Sequence, residues 1–379
     1  MKPDIDLRSS RWRAQEWGQR TVERIMGGER FYIFGLTKYG KTVAKFARDA
    51  GNNSYTFVDD WTALNSFDGI PVVRTASIAA ATAPLIINAV VEGRPYSVDL
   101  FLLGKGFFAS TSYFHLHAYN NAAFPLPFAA HNMLDIDNRL SAYAALEETL
   151  ADATSKKEWR AVQYSRYSMD YLTGQLCYRL EEQYWEPDIY NIADVAHFVD
   201  GGSFDGKTAL EFAHRNPAYR AISSFEPAPD SMEVVVKNTA ALAHSALFQK
   251  ALYSDSKVRH FSLDASASGL ANVESVGELP TQRTSPGVEV QCVTLDEALR
   301  GTEVSMIKLD LEGAEPEALR GAQNTILHWA PVLTVCVYHD QRHFVDVPEF
   351  VLALVPEYKI YFRHYTEGIF ESVMYFVKK

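Results

Sequence analysis

Short apolar runs alternate with amphipathic stretches in two blocks of the chain. In the first block, the apolar runs are residues 31–35, 54–58, 69–73 and 85–91. Between the first two runs, Val43, Phe46 and Ala47 recur at the spacing of one helix face. This alternation predicts a small α/β domain with a parallel sheet. The aromatic residues 104–135 that follow are expected to be irregular.

The second block has more apolar runs and predicts a larger sheet. Its runs are residues 196–199, 221–225, 245–252, 305–309, 332–337, 358–362 and 373–377. Three stretches with helical character, 139–150, 155–171 and 174–184, lie between the blocks. We place a domain boundary near residue 150. Residues 264–291 are rich in Ser, Gly and Pro and predict a surface insertion that faces the substrate.

Composition narrows the class of protein. A chain of 379 residues exceeds the size at which one core stops growing, so we expect two domains, 1–150 and 151–379. With 47% hydrophobic and 22% charged residues, it has the composition of a globular protein. A net charge of −11 argues against a nucleic-acid partner. No apolar stretch is long enough to span a membrane. We expect a cytoplasmic enzyme, with a homo-oligomer left open.

A glycine-rich segment marks the first strand of the second block. Asp200 ends the apolar run and is followed by Gly201, Gly202 and Gly206 before an amphipathic stretch. Glycines at such a strand-to-helix turn let backbone N–H groups approach a ligand. The next strand ends in Glu226, which can accept hydrogen bonds from both hydroxyls of a ribose. The spacing indicates an adenosine-type cofactor.

Three later segments identify a family. Residues 251–255 read A-L-Y-S-D, residues 291–296 read Q-C-V-T-L-D, and residues 306–315 read M-I-K-L-D-L-E-G-A-E, followed by L-R-G-A at 319–322. From about residue 150 to 379 the sequence resembles the FkbM family of S-adenosylmethionine-dependent methyltransferases. The resemblance implies a doubly wound, seven-stranded sheet of class I methyltransferase type with an antiparallel last strand. It also implies S-adenosylmethionine as cofactor.

We assign each cofactor-binding candidate a part of that molecule. Gly201, Gly202 and Gly206 suit the methionine moiety, and Asp200 can anchor its ammonium group. Glu226 suits the ribose. Asp255, after the third strand, suits the adenine amino group.

Candidate catalytic groups follow the fourth and fifth strands. Strand alternation would put Lys308, Asp310 and Glu312 on one side, at the edge where open α/β sheets bind ligands. Neighbouring carboxylates raise one another's pKa, which suits a general base. His339 follows the next strand and is a second candidate base. A metal is not expected, because the spacing of His339 and His343 has no supporting motif.

The first domain resembles the nucleotide-binding-like, Rossmann-like domain found beside sugar-modifying enzymes. Its turn keeps Gly35 and Gly40, but Thr37 stands where a dinucleotide needs bare backbone. We predict a recognition or assembly module. Asp59 and Asp60 leave binding of a nucleotide or nucleotide-sugar open.

Together these features predict an O-methyltransferase that acts on a hydroxyl of a sugar, glycoconjugate or polyketide-like small molecule. Two alternatives stay open. One is an N-methyltransferase, and the other is a non-catalytic scaffold that binds a nucleotide-sugar.

Overall fold

The computed structural model describes residues 4–127, 132–263, 270–273 and 287–378. Contacts between Cα atoms divide the chain into two compact units. The N-terminal unit comprises Met1–Ile136, Lys157–Leu180 and His364–Phe370. The C-terminal unit comprises Asp137–Lys156, Glu181–Arg363 and Glu371–Lys379. None of the described helices is long and apolar enough to cross a membrane.

The N-terminal unit is built on a six-stranded sheet in the order β3-β4-β2-β1-β5-β6. Its strands are β1 Phe31–Phe34, β2 Tyr55–Val58, β3 Ser66–Phe67, β4 Ile70–Val73, β5 Leu85–Asn88 and β6 Ser110–Ser112. The strands are parallel except β3, which pairs antiparallel to β4. Four helices belong to this part of the chain: α1 Asp4–Met26, α2 Lys38–Asp49, α3 Pro95–Gly104 and α4 Tyr113–Tyr119. The predicted α/β architecture is confirmed. The prediction that residues 104–135 are irregular is wrong where β6 and α4 form.

The segment between the two blocks contains the helices α5 Asp135–Thr149, α6 Ala153–Ser168 and α7 Tyr171–Gly174. The prediction of a helix over residues 174–184 is wrong. Gln175 has a φ of +52°, a left-handed conformation that ends α7 after one turn. Only a short 3₁₀ turn, Leu180–Glu182, follows in this stretch.

The C-terminal unit is built on a seven-stranded sheet in the order β16-β17-β15-β14-β7-β8-β9. A smaller sheet has the order β10-β13-β11-β12. The strands are β7 His197–Gly201, β8 Ala221–Phe225, β9 Ser245–Phe248, β10 Ala251–Leu252, β11 Val258–Leu263, β12 Leu270–Val273, β13 Gly287–Val293, β14 Met306–Leu309, β15 Val332–Cys336, β16 Lys359–His364 and β17 Ser372–Val377. The helices are α8 Lys207–Arg215, α9 Pro229–Thr239, α10 Leu295–Ala298, α11 Glu315–Arg320, α12 Gln323–Trp329 and α13 His343–Leu354.

The predicted third strand, residues 245–252, is divided between the two sheets. The Lys250 N–H bonds to the Phe248 carbonyl at 2.8 Å, which closes a tight turn between β9 and β10. The predicted insertion contributes β12 and β13 to the smaller sheet. Residues 264–269 and 274–286 of that insertion lie outside the described part of the chain.

The strand order creates a switch point between β7 and β14. From β7 the chain proceeds outward through β8 and β9, and then returns to add β14 and β15 on the other side of β7. Ligands of open α/β sheets bind outside the carboxyl ends of the strands at such a point. β17 runs antiparallel to β15, so the start of β17 lies at that same edge. The seven-stranded, doubly wound sheet predicted from the sequence is confirmed.

Candidate active site

The glycine turn after β7 is closely packed against the segment that follows β14. Gly202 has a φ of +76°, and a Cβ atom there would lie 1.9 Å from the Asp310 carbonyl oxygen. Gly206, with a φ of +77°, is the N-cap of α8. A Cβ at Gly201 would meet the Lys308 carbonyl at 2.9 Å. The turn therefore requires glycine for both its conformation and its packing.

Lys308 binds the backbone of this turn through its ammonium group. Its Nζ lies 3.1 Å from Asp200 Oδ1 and donates to the carbonyls of Gly201 at 3.1 Å and Gly202 at 2.7 Å. Lys308 and Asp200 are register partners on β14 and β7, and both are buried. Burial lowers the pKa of Lys308, but Asp200 and Asp310 together outweigh it and raise the pKa above its usual value. Burial also raises the pKa of Asp200, and Lys308 opposes that rise. Lys308 is therefore an ammonium group, and Asp200 fixes the turn through it.

Glu226 lies at the end of β8 and is held by two backbone amides. Phe204 N–H donates to its Oε2 and Ala228 N–H to its Oε1, both at 2.9 Å. Burial raises the pKa of Glu226, and the two amide hydrogen bonds oppose that rise. The carboxylate is thus fixed beside the glycine turn, and each oxygen keeps a lone pair for a further donor.

Asp255 lies apart from the end of the third strand of the main sheet. It follows β10, which belongs to the smaller sheet. Arg259 Nη2 donates to its Oδ2 at 2.8 Å, and Lys257 Nζ lies 3.4 Å from the same oxygen. Its adenine-binding role stays a prediction.

Asp310, Glu312 and His339 come together at the edge of the sheet. His339 Nε2 lies 3.5 Å from Asp310 Oδ1 and 3.4 Å from Glu312 Oε2. The His339 side chain is fully buried, whereas those of Asp310 and Glu312 are about a quarter exposed, at 24% and 27%. Glu312 has a φ of +52°, so the strand alternation assumed from the sequence does not extend to it. A turn after β14 brings Glu312 to the histidine instead.

Glu315 completes the surroundings of the histidine. It is the first residue of α11, is fully buried, and lies with Oε1 2.9 Å from His339 Nδ1. Burial would lower the pKa of His339, but Glu315, Glu312 and Asp310 raise it well above its usual value. Burial would likewise raise the pKa of Glu315, but His339 holds it at about 2. The imidazole is therefore an imidazolium paired with Glu315, which disfavours proton acceptance by His339.

Three further polar side chains contact Asp310 or share its partners, and sequence reasoning did not assign them to the site. Tyr184 OH donates to Asp310 Oδ2 at 2.9 Å, and Tyr338 OH lies 3.3 Å from Oδ1. Tyr338 OH also lies 3.5 Å from Oε1 of Glu371, the residue just before β17. Burial and the Asp310 carboxylate raise the pKa of Glu371 to about 7. In the sequence, the only indication of a role for Glu371 was its position directly before the last strand, which was expected to be antiparallel.

Two sets of side chains among the described residues could hold a metal ion. One is Asp310, Cys336 and Glu371, and the other is Asp310, Glu315 and His339. In each set the ligand atoms lie within 4.8 Å of one another. His343, whose Nδ1 lies 3.5 Å from Glu315 Oε2, adjoins the second set. The expectation of a metal-free site stays a prediction.

In the N-terminal unit, the turn between β1 and α2 is closed by a side chain of the turn itself. Thr37 Oγ1 donates to the Ala89 carbonyl at 2.8 Å and accepts from Gly40 N–H at 3.0 Å. Asp59 accepts from the N–H groups of the loop after β2, and Asp60 accepts from the Thr75 N–H at 2.7 Å. Both carboxylates considered for a ribose thus stabilise local turns.

Known proteins resemble the chain in sequence and in fold. Residues 196–361 match the family model of the methyltransferase FkbM domain. No curated protein matches the sequence. The crystal structure of methyltransferase FkbM from Methylobacillus flagellatus KT has a similar fold, with a TM-score of 0.71 and 16% identity over 98% of this chain and 100% of that one.

Two other solved structures align with about half of the chain. An rRNA methylase from Streptococcus thermophilus covers 51% of this chain and 90% of its own, with a TM-score of 0.32 and 11% identity. SMU.1697c from Streptococcus mutans, a methyltransferase in complex with SAH, covers 53% and 99%, with a TM-score of 0.33 and 11% identity. The family match includes the strands that carry the glycine turn, Glu226, Asp310 and Glu312. Residues 196–361 are therefore similar in sequence to a methyltransferase FkbM domain.

Proposed function

We propose that the protein is an S-adenosylmethionine-dependent O-methyltransferase whose acceptor is a hydroxyl of a sugar, glycoconjugate or polyketide-like small molecule. The observation that carries this proposal is the arrangement of Asp310 and Glu312. These two partly exposed carboxylates lie around a buried imidazolium at the switch point, next to the glycine turn. A hydroxyl needs a base when it attacks a methyl group, and these carboxylates can supply one.

The residues beside β7 and β8 fit the cofactor. Gly201 and Gly202 leave no room for a Cβ, because they pack against the carbonyls of Lys308 and Asp310. In our proposal this close packing shapes the turn that holds the methionine moiety. Glu226 offers two fixed carboxylate oxygens to a ribose diol. In our proposal Gly206 contributes backbone at the start of α8, and Asp255 serves the adenine end. When bound, S-adenosylmethionine supplies an electrophilic methyl group on sulfur.

Lys308 and Asp200 act on the glycine turn. Because Lys308 Nζ donates to the carbonyls of Gly201 and Gly202, it fixes the orientation of that backbone before any ligand arrives. Preorganised backbone lowers the cost of ordering a binding loop. We therefore assign Asp200 and Lys308 positioning roles.

The proton of the acceptor hydroxyl passes, in our proposal, to Asp310 or Glu312. His339 is a poor acceptor because Glu315 holds it as an imidazolium. Its positive charge orients the two carboxylates. His339 is thus a positioning residue rather than the base considered from the sequence. Tyr184 and Tyr338 contact the two carboxylate oxygens of Asp310 and so fix the orientation of that side chain.

Isothermal titration calorimetry with S-adenosylhomocysteine tests the cofactor assignment. Glu226→Ala should weaken binding by about 2 kcal/mol, because a charge-assisted acceptor for two hydroxyls is lost. Glu233→Ala, on the exposed face of α9, is the matched control and should bind as the wild type does. Equal affinity in both variants would exclude the ribose role of Glu226.

Methyl transfer from labelled S-adenosylmethionine to a panel of hydroxyl and amine acceptors tests the reaction. Asp310→Asn and Glu312→Gln should lower turnover, at least one of them about a hundredfold, with little change in cofactor affinity. Chelator treatment should leave activity intact. A product methylated on nitrogen would favour the N-methyltransferase alternative. Cofactor binding without transfer to any acceptor would favour the non-catalytic scaffold.

A further inference from the structure

The N-terminal unit contains a cavity of about 280 Å³. It lies between α1, α3, β6, the first residues of α4 and residues 170–173. Trp17 and Phe108 line it and are 45% and 76% exposed, so the cavity is open to solvent on their side. Tyr171 is a buried aromatic part of the lining. The volume is at the small end of ligand sites and suits a molecule of one ring.

Asp99 is the chemically unusual group of this cavity. Its Oδ1 accepts a hydrogen bond from Asn88 Nδ2 at 2.8 Å. The same amide also donates to the Pro95 carbonyl at 3.0 Å, so Asn88 has no further hydrogen to offer. Among the described residues, no cation pairs with Asp99. Burial raises the pKa of Asp99 to about 7, and the Asn88 hydrogen bond only partly opposes that rise.

The neighbouring acidic groups add to the negative potential at Asp99. Asp170 and Glu367 both act on it, and each already has hydrogen-bond donors of its own. Asp170 accepts from the Thr173 N–H at 2.9 Å, and Glu367 accepts from the Ser97 N–H at 2.7 Å. Asp99 therefore differs from them, because among the described residues only the Asn88 amide stabilises its negative charge.

The basic groups of the cavity do not neutralise Asp99. Burial lowers the pKa of His115, and its Nδ1 lies 3.1 Å from Thr111 Oγ1, so the ring is neutral near pH 7. Arg13 Nη2 donates to Ser10 Oγ at 2.7 Å. Asp99 is half-buried, and a carboxylate that is largely shielded from water and lacks a cation is costly.

We propose that this cavity binds a small organic cation, an amine of about one ring, with Asp99 as its counter-ion. The ammonium group contacts the free Oδ2 of Asp99. Trp17 and Phe108 flank the ligand with aromatic faces, which attract cations. The site belongs to the N-terminal unit alone and does not depend on the function proposed for the methyltransferase domain.

Calorimetry on the full chain tests this site without cofactor or acceptor. The probes are cyclohexylamine and cyclohexanol, which share ring size but differ in charge. Cyclohexylamine should bind at one site, at least tenfold more tightly than cyclohexanol, as expected for pairing with a half-buried charge inside a cavity. Its affinity should rise as pH increases through about 7, because Asp99 then loses its proton and attracts the amine.

Two variants and two matched controls locate the binding. Asp99→Asn and Trp17→Ala should each weaken cyclohexylamine binding, Asp99→Asn at least tenfold. Asp49→Asn, an exposed acid ion-paired with Lys45, and Trp61→Ala, an exposed tryptophan outside the cavity, should not. Equal binding of amine and alcohol, unchanged binding in Asp99→Asn, or no binding of cyclohexylamine would overturn the proposal. If Asp99→Asn fails to fold, Trp17→Ala and the pH dependence decide the question.

Discussion

Replacing Lys308 with methionine tests how the glycine turn is held. The substitution keeps much of the side-chain volume but removes the ammonium group. Asp200 would then be a buried carboxylate without its cation, and the carbonyls of Gly201 and Gly202 would lose a donor. Removing one partner of a buried ion pair costs about 3–5 kcal/mol of folding free energy. We expect a loss of that size, together with weaker binding of S-adenosylhomocysteine.

The measurement should report on the C-terminal unit alone, because a two-unit chain need not unfold in one step. Urea-dependent hydrogen exchange of peptides from β7 and β14 provides that readout. Lys207→Met is the matched control, since Lys207 is 80% exposed and pairs with Asp205 at the surface. It should cost less than about 1 kcal/mol.

A double-mutant cycle with Asp200→Asn then measures the pair itself. We expect a coupling energy of about 1–3 kcal/mol between Asp200 and Lys308, since the two groups are in direct contact. If Lys308→Met costs no more than Lys207→Met, the buried pair does not hold the turn and the reasoning fails.

Three other predictions concern the edge of the sheet. Glu315→Gln should remove a stability contribution that the wild type has above pH 4.5 and loses as pH falls toward 2, because ionised Glu315 pairs with the buried imidazolium. Acid denaturation measures this contribution, with Glu317→Gln, whose side chain is 33% exposed, as the control. Glu371→Gln should have the opposite pH dependence. The raised pKa of Glu371 makes the wild type lose stability from pH 4.5 to about 7, and a glutamine variant without that loss in urea titrations confirms the assignment. Gly202→Ala should abolish binding of S-adenosylhomocysteine in calorimetry, since its Cβ would clash with the Asp310 carbonyl; normal affinity would show that the backbone can relax there.

The sequence predicted the two sheets because their apolar runs repeat with the period of strands and helices. The predicted elements were wrong at two positions, where the backbone conformation of one to three residues ends a strand or a helix. The tight turn at residues 248–250 divides the third strand, and the left-handed Gln175 ends α7. Residues 248–250 contain no glycine or proline, so no common turn signal marks the division of the strand.

For the candidate site, the sequence succeeded where residues follow adjacent strands. Asp310 and His339 come together because β14 and β15 are neighbours in the sheet. Lys308 was expected beside them, but its side chain reaches across to β7 instead. Tyr184 lies 126 residues from Asp310 in sequence, and only the folded chain reveals that contact.

The antiparallel last strand has a practical consequence for dissecting the protein. The family match ends at residue 361, before β17 begins at Ser372. β17 lies between β15 and β16, so a fragment trimmed to residues 196–361 would have an unpaired strand edge in the middle of its sheet. Exposed edges of this kind promote aggregation. The same fragment would also lack Tyr184 and Glu371. A fragment that contains Tyr184, Glu371 and β17 has to extend from about Glu181 to Val377. These bounds lie well beyond those of the family match.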